Sequence, residues 1–352
     1  MKMLYVGSLT KGPDRDSSWI DAFQKLGCEV ITFSSNVNYE SVGIVGKFFN
    51  KIRKRFSVGY KNKNMQVELL RVIELEKPRW VHFVMPIGIN RSTIQFLVDK
   101  KIVVTEYFND DPFSKSAPFG IYWKFLDALS LYDGHFVWRP HNVTDFKNAG
   151  AKHVEHSPPY YDPAKVLHTI DPTHPPEIFC DAAFIGHWEN DWRVDCLDAL
   201  CKSGASIVLK GGGWNRAIKN TSLEKYAPIN HAFDAEYVKI YRGALAGICF
   251  FSKINRDSWT RRALEIVAVG GVLVCERTEE ALGYFTDRED ACFFSTVDEL
   301  VSIVNFLRSN PLKRIKIRDS GFKKLVSGDH TIANRAVKIY QHAITIQKSY
   351  DE

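Results

Sequence analysis

Short apolar runs alternate with amphipathic stretches along most of the chain. The run MLYVG at Met3–Gly7 has the length and composition of a buried strand, and apolar residues recur at helical spacing over Ser17–Leu26. The alternation continues through a predicted strand at Trp80–Val84 and a predicted helix at Thr93–Lys100. Strands that alternate with helices are typical of βαβ units, so we predict an α/β protein with a mostly parallel sheet.

A proline-rich segment at residues 156–176 interrupts this alternation, with six prolines in 21 residues. Because proline fixes φ and lacks an amide donor, such a segment does not fit the interior of a sheet. The alternation restarts with a predicted strand at Ala182–Ile185. We therefore predict two doubly wound domains, 1–160 and 177–331, joined by a linker at 161–176. In such sheets ligands bind at the carboxyl ends of the strands.

Composition places the chain among ordinary globular proteins, with 45% hydrophobic and 25% charged residues in 352. No apolar run approaches the ~18 residues of a membrane-spanning helix. Met1–Leu9 is too short, and too closely followed by charged residues, for a signal peptide. The seven cysteines lie in apolar runs without a C-x-x-C pair, which predicts reduced core thiols, a cytoplasmic location and no structural zinc.

Positive charge is concentrated in the first half of the chain. Residues 1–165 carry 23 Lys and Arg against 17 Asp and Glu, whereas the remainder carries 24 of each. A helix over Lys47–Phe56 would place phenylalanines on one face and basic residues beside them, a pattern typical of binding to an anionic ligand or membrane surface. The alternative is a surface helix that packs its apolar face on the core. The candidate acceptor-binding or membrane-binding residues are Lys51, Arg53, Lys54 and Arg55.

Several common enzyme signatures are missing from the sequence. It has no G-x-x-x-x-G-K-S/T, no G-x-G-x-x-G with a following acid, no H-E-x-x-H and no G-x-S-x-G. The histidines show no metal-ligand spacing, so we predict neither a metal nor a cofactor. Nucleic-acid binding is disfavoured because the second half is neutral and lacks a stacking motif.

The most informative stretch is 252–275, SKINRDSWTRRALEIVAVGGVLVC. A helix that starts near Ser258 or Thr260 would offer its first-turn amides to an anion, and Glu265 would then accept both hydroxyls of a ribose. This predicts a nucleotide-diphosphate site, although Glu265 could instead be a solvated carboxylate that suits the helix dipole. The basic residues clustered at this helix start are Lys253, Arg256, Arg261 and Arg262.

The run T-R-R-A-L-E-I-V-A-V-G-G-V-L-V at 260–274 resembles the signature R-x-F-E-x-x-A-x-G-G-x-L-L of the CgeB-like (spore-maturation-protein-like, group 1) glycosyltransferases, with Leu264 in place of Phe. Four further segments resemble parts of that family in the same order. They are Phe108–Pro112, Ala183–Gly186, Leu209–Trp214, and Gly328–Thr331 together with Arg335.

This resemblance implies a GT-B fold, with two Rossmann-like domains facing a cleft and a last helix at 332–352 packed on the first domain. It implies transfer of a sugar from a nucleotide-sugar to a polysaccharide, lipid-linked or protein acceptor without a metal. Peripheral contact of this cytoplasmic protein with the inner membrane surface is a separate option, which rests on the basic segment at Lys47–Phe56. The donor-binding residues expected are Gly186, Lys210, Gly212, Gly213, Lys253, Asn255, Arg256, Asp257, Thr260, Arg262 and Glu265.

Catalytic candidates in the first domain are Asp110 and Asp111, with Asp14 and Asp16 as rival bases, while His187 follows a strand in the second domain. Asp257 stands eight positions before Glu265, where the family usually has Glu, and this leaves the stereochemical outcome open. Two alternatives are retained: a sugar-nucleotide epimerase on the same fold, and a non-catalytic protein that binds nucleotide or sugar.

Overall fold

The computed structural model describes residues 1–9, 15–37, 43–166 and 177–352. It divides into a first unit, 1–158 with 332–352, and a second unit, 159–331. The beginning of the predicted linker belongs to the second unit, where Tyr161 and Val166 are buried in the core. Both side chains are largely apolar, so burying them stabilises this segment in the core of the second unit. That stabilisation outweighs the tendency of the neighbouring prolines to form an extended connection.

The sheet of the first unit is parallel and, over the described residues, has the order β2-β1-β3-β4-β5-β6. Its elements are β1 (Lys2–Gly7), α1 (Arg15–Lys25), β2 (Glu29–Ser34), α2 (Gly43–Phe56), α3 (Tyr60–Glu76), β3 (Trp80–Val84), α4 (Arg91–Asp99), β4 (Val103–Phe108), α5 (Trp123–Ala128), β5 (Gly134–Val137), α6 (Pro140–Asn148) and β6 (Val154–His156). The strands expected at Met3–Gly7 and Trp80–Val84 occur as β1 and β3. Strand β6 was not expected, because it is polar and its three residues are too few to show a periodicity. It is defined by its pairing with β5.

The sheet of the second unit is also parallel, with the order β11-β10-β9-β7-β8 in the part of the chain that the structure describes. Its elements are α7 (Pro163–Val166), β7 (Cys180–Ile185), α8 (Arg193–Lys202), β8 (Ile207–Lys210), α9 (Trp214–Ala217), α10 (Asp234–Arg242), β9 (Ala244–Cys249), α11 (Arg261–Ala268), β10 (Leu273–Glu276), α12 (Glu279–Tyr284), β11 (Cys292–Phe294), α13 (Val297–Ser309) and α14 (Pro311–Val326). Apolar clusters cover both faces of this sheet, as a parallel sheet requires.

The C-terminal helix α15 (Ile332–Asp351) is part of the first unit and packs on α1 and β4. Arg335 Nε donates to the carbonyl of Pro158 at 2.8 Å, and Tyr350 Oη donates to Asp133 Oδ1 at 2.8 Å. The helix therefore returns the chain to the unit in which it began.

All seven cysteines are buried and free, so the expectation of reduced core thiols agrees with their placement. Burial raises the pKa of Cys196 and of Cys292 to about 12, which keeps both thiols protonated at neutral pH. Among the described residues, the structure contains no helix with the length and apolar character needed to cross a membrane.

Candidate donor site and strand-end cavity

The second unit has a topological switch point beside its first strand. Strand β7 lies between β8 and β9, which follow it in the chain, so the connections leave it on opposite sides of the sheet. The carboxyl ends of strands at such a point form the usual ligand-binding crevice of an open α/β sheet. Three loops meet there: 186–187 after β7, 211–213 after β8, and 250–260 after β9.

The first two loops are locked together by their backbones. The amide of Gly186 donates to the carbonyl of Lys210 at 2.9 Å, and Trp214 Nε1 donates to the carbonyl of Gly186 at 2.8 Å. Gly211 has φ +127°, and a Cβ at this position would lie 2.0 Å from the carbonyl oxygen of Gly186. Only glycine fits here, because both the space and the backbone conformation exclude a side chain.

The predicted ligands Gly212 and Gly213 continue the same loop. A Cβ on Gly212 would lie 2.8 Å from Nδ1 of His187, so the imidazole rests directly on this backbone. The ring of His231 lies 5.7 Å from that of His187. Burial, with the nearby His231 and Arg262 charges, lowers the pKa of His187 below its ordinary value. The His187 side chain is therefore neutral at pH 7 and provides a hydrogen-bonding group without a charge.

The amino end of α11 lies after the third loop. Thr260 is its N-cap, with φ −149° and ψ 156°, and its side chain makes no capping hydrogen bond. Ser258, the other predicted cap, donates its hydroxyl to Glu280 instead. The first-turn amides of α11 are thus left without a side-chain acceptor from the N-cap, and such amides are suited to bind an anion.

Arg262 is the cation most directly placed for this anion. Its Cζ lies 5.5 Å from the centre of the Phe184 ring, and a Cβ built on Gly186 would be 3.0 Å from its Nη2. Among the described residues no ion pair joins its guanidinium to a carboxylate. Because the side chain is only partly buried, the guanidinium is available to a ligand at the end of β7.

Two lysines expected at the same site are engaged elsewhere. Lys253 Nζ lies 3.0 Å from Oε1 of Glu276, and Lys210 Nζ lies 2.9 Å from Oε1 of Glu236. Each positive charge is largely neutralised by its carboxylate, and binding of the diphosphate by these two lysines stays a prediction. Both partners are distant in sequence, which is why local composition did not reveal them.

Glu265 lies in a short polar network. Its Oε1 accepts from Arg261 Nε at 2.5 Å, and its Oε2 accepts from Tyr237 Oη at 3.0 Å. Burial, followed by the Glu265 charge, raises the pKa of Tyr237 well above its usual value, so the hydroxyl stays a donor. The Glu265 side chain is 18% exposed, so it is neither fully solvated nor sealed in the core. Each carboxylate oxygen has a further lone pair for a ligand hydroxyl.

The loop between β9 and α11 holds the three other predicted donor ligands. Asp257 donates its amide to the Ser252 carbonyl at 2.8 Å, and Asn255 donates its amide to Ser252 Oγ at 3.2 Å. Arg256 is exposed and has φ 50°. Ser252 therefore fixes the turn that carries these residues.

The first unit contains a cavity of about 900 Å³, which we call the strand-end cavity. It lies at the carboxyl ends of β1 to β4, and β1 is the switch point of this sheet because β2 and β3 flank it. The residues that line it are Ser8, Asp16, Ser35, Asn36, Val37, Lys51, Lys54, Arg55, Ser57, Asn62, Val84, Met85, Ile87, Gly88, Asn109, Asp110, Pro118 and Ile121.

Of the predicted catalytic acids, Asp110 lines this cavity, and its Oδ2 accepts from Tyr122 Oη at 3.1 Å. Asp111 is fully buried; its Oδ1 accepts from the amide of Phe113 at 3.1 Å and from Asn142 Nδ2 at 2.9 Å. The Asp111 carboxylate therefore stabilises the turn before the cavity, and its role as a base stays a prediction. Asp14 lies outside the described residues.

Asp111 also belongs to a group of potential metal ligands. One ligand atom each from Asp111, His141 and Asp145 lies within 4.8 Å of the others. His141 Nε2 is 3.3 Å from Asp111 Oδ2, so the group is already linked by side-chain contacts. The expectation that the protein uses no metal is not tested by this geometry.

Most described side chains of the basic helix α2 are exposed, including Lys51, Arg53, Lys54 and Arg55. Phe56 at its end is partly buried, and its ring lies 6.4 Å from that of Phe119. Phe49 is 53% exposed and Ile52 is 39% exposed, so these two do not pack on the core as the alternative proposed. The side chain of Phe48 lies outside the described residues. Lys51, Lys54 and Arg55 line the strand-end cavity, whereas Arg53 does not.

Sequence reasoning missed several residues of these sites. Tyr237 and Glu276 contact the candidate donor site from other elements, and neither had a signal in the local sequence. Asp16, the second rival base expected after the first strand, lies in α1 and lines the strand-end cavity. Asp16 Oδ1 accepts from Tyr5 Oη at 2.6 Å.

Comparison with known proteins agrees with this geometry. Residues 193–341 match the family model described as glycosyl transferase-like. No curated protein sequence matches the chain.

Among solved structures, sucrose-phosphate synthase from Thermosynechococcus elongatus is 10% identical with a TM-score of 0.68, and the match covers 99% of this chain and 100% of that one. The α,α-trehalose 6-phosphate synthase of Burkholderia multivorans is 10% identical with a TM-score of 0.66, over 99% of each chain. HepE of Anabaena, solved with UDP and glucose, is 12% identical with a TM-score of 0.60, over 97% of this chain and 98% of that one.

The chain has the GT-B fold. The family match and the shared fold together support a glycosyltransferase.

Proposed function

We propose that the protein transfers a sugar from a nucleotide-sugar donor to a glycan, lipid-linked or protein acceptor, without a bound metal. The observation that carries this proposal is the position of Arg262, a cation without a carboxylate partner among the described residues, beside Gly186 at the switch point of the second unit. One turn along the same helix, Glu265 presents a partly exposed carboxylate.

Each of these groups has a role in the proposed reaction. When the sugar leaves, negative charge builds up on the diphosphate, and the first-turn amides of α11 together with Arg262 would stabilise it. Glu265, held by Arg261 and Tyr237, would accept the ribose hydroxyls through its remaining lone pairs. Because these groups already supply positive charge and donors, the reaction as proposed needs no divalent cation.

The acceptor hydroxyl requires a base or a charged partner in the first unit. We favour Asp110 among the acids expected from the sequence, since it lines the strand-end cavity and accepts a hydrogen bond from Tyr122. Asp257 keeps the spacing of an acidic pair with Glu265 but is shorter than the usual Glu, so both retention and inversion stay open.

The finer assignment follows the sequence motifs. We propose a CgeB-like transferase that acts in cell-surface polysaccharide synthesis in the cytoplasm. The presence of UDP and glucose in the Anabaena structure supports a nucleotide-sugar ligand for this fold. The exposed basic and apolar side chains of α2 support peripheral contact with an anionic membrane.

The test is a calorimetric binding screen with UDP-, GDP-, CMP- and dTDP-sugars. We expect one of them to bind, and we expect Glu265→Gln to weaken binding by about tenfold or more, since a hydrogen bond to a charged group is lost. The matched control is Glu279→Gln, an exposed first-turn acid of α12. Equal binding by both variants, or no binding of any donor, would contradict the proposal.

Activity is tested by incubating the bound donor with and without acceptor glycans. Transfer to an acceptor supports the proposal. Conversion of the donor sugar into its epimer without acceptor would identify an epimerase, and binding without any turnover would identify a non-catalytic binding protein.

Membrane contact is tested separately by sedimentation with vesicles of phosphatidylglycerol and phosphatidylcholine. We expect salt-sensitive binding that falls in Lys51→Glu and Arg55→Glu, because anionic lipid attracts basic side chains. Sedimentation that is indifferent to both substitutions would remove the membrane from the proposal.

A further inference from the structure

The strand-end cavity carries a row of positive charge on one wall. Lys51, Lys54 and Arg55 all line it, and all three are contributed by α2. Residues three and four positions apart lie on the same side of a helix, so the three cations form one continuous group.

The charge of this group is not neutralised within the described residues. Arg55 Nε donates to the carbonyl of Phe119 at 2.7 Å, which fixes the guanidinium without cancelling its charge. Neither Lys51 nor Lys54 forms an ion pair with a carboxylate in the described part of the chain. Like charges at this spacing disfavour a helix, and a bound anion would relieve that repulsion.

The two carboxylates in the lining are committed to other partners. Asp16 accepts from Ser8 Oγ at 3.1 Å and from the amide of Leu9 at 2.9 Å, in addition to its contact with Tyr5. Asp110 is held by Tyr122. The lysines are therefore left for a ligand rather than for these acids.

The remaining lining suits a sugar. Hydroxyl and amide side chains form much of the polar lining. Asn62 is buried and its amide is bonded to Gly88 and Lys124, whereas the others can bond to ring hydroxyls. A volume of about 900 Å³ is at the upper end of the range for small-molecule sites. The neutral polar residues concerned are Ser8, Ser35, Asn36, Ser57, Asn62 and Asn109.

We infer that the strand-end cavity binds an anionic saccharide, in which Lys51, Lys54 and Arg55 hold a phosphate or carboxylate group. This inference rests on the proposed function, because it identifies that saccharide as the acceptor. Lysine and arginine make strong charge-assisted hydrogen bonds to both groups, so the charge of the acceptor, rather than its hydroxyl pattern, becomes the main source of selectivity.

The experiment is isothermal titration of the full-length protein with glucose 6-phosphate, glucuronate, glucose and inorganic phosphate. We expect glucose 6-phosphate or glucuronate to bind at least about tenfold more tightly than glucose, and the stronger of the two identifies the anionic group. Inorganic phosphate should bind more weakly than the preferred saccharide. Equal binding of glucose and the charged sugars, tighter binding of phosphate alone, or no binding of either charged sugar would overturn the inference.

Variants locate the bound group. Lys51→Ala and Lys54→Ala should each weaken the charged sugar by about tenfold. Lys63→Ala, which removes an exposed lysine of α3 outside the lining, should leave it unchanged. An equal loss in Lys63→Ala would show a non-specific charge effect and overturn the assignment.

Two further comparisons separate this inference from the other proposals. Arg53 lies on α2 but not in the lining, so Arg53→Glu should weaken vesicle binding while leaving sugar binding intact. An equal loss of sugar binding in Arg53→Glu would overturn the inference. If nucleotide binds in a Glu265-dependent way but no charged sugar binds, only this inference is overturned. If a charged sugar binds but no nucleotide does, the transferase proposal is overturned.

Discussion

The sharpest test of the donor site is Arg262→Met, which keeps most of the side-chain volume but removes the charge. Arg262 makes no ion pair with a carboxylate in the described residues, and its guanidinium lies against Gly186 and the ring of Phe184. An arginine with a purely structural role would be expected to pair with a carboxylate of the protein. Arg262 instead faces the loop where the diphosphate is proposed to lie.

The magnitude follows from these contacts. A charge-assisted hydrogen bond to a phosphate is worth about 1.5–3 kcal/mol, so affinity for a nucleoside diphosphate should fall by roughly 10- to 150-fold. Affinity for the corresponding nucleoside should change little, because it lacks the phosphates. Stability should change by no more than about 1 kcal/mol, since no ion pair is broken and methionine packs well on an aromatic ring.

The assay is calorimetric titration of wild type and variant with both the nucleoside diphosphate and its nucleoside, together with denaturant unfolding. An equal loss of affinity for both ligands would place Arg262 at the nucleoside rather than at the phosphates. Loss of several kcal/mol of stability with unchanged diphosphate affinity would refute the reasoning, because it would show a structural role.

Two further predictions concern stability. Gly211→Ala should destabilise the protein by well over the ~1 kcal/mol expected for Gly204→Ala. Both glycines have positive φ, but a Cβ at 211 would lie 2.0 Å from a backbone atom, whereas nothing lies within 4 Å of a Cβ at 204. Equal losses of stability in denaturant unfolding would refute the collision at 211. Burial lowers the pKa of His82 to about 3, below its value near 6.5 in the unfolded chain, so its contribution to stability is present above pH 6.5 and is lost as pH falls. Between pH 6 and 4, the free energy of unfolding of His82→Gln should therefore fall less steeply than that of the wild type, by about 1.4 kcal/mol per pH unit. An unchanged slope would show that His82 does not titrate in this way.

The elements of both sheets could largely be predicted from the sequence, because periodicity is a local property. Strand β3 was expected at Trp80–Val84 and occurs with those bounds, and the helix expected at Thr93–Lys100 occurs as α4, Arg91–Asp99. The elements that were missed, such as β11 (Cys292–Phe294), are short and are defined by their pairing with a neighbouring strand.

For the donor site, the sequence indicated the helix start and Glu265, since the capping pattern and the following apolar run lie within one short segment. It did not indicate which cations are unpaired. That depends on contacts between distant segments: Lys253 pairs with Glu276 and Lys210 pairs with Glu236, whereas Arg262 makes no ion pair with a carboxylate in the described residues.

The strand-end cavity was decided by the tertiary structure alone. Its lining comes from loops after four strands and from α2, which only the parallel pairing of the strands brings to one edge. The same folding separates two adjacent acids, because Asp111 is buried by its contacts with Phe113 and Asn142 while Asp110 faces the cavity. Periodicity specifies which segments form strands and helices, but the exposure and partners of a side chain depend on residues far away in the sequence.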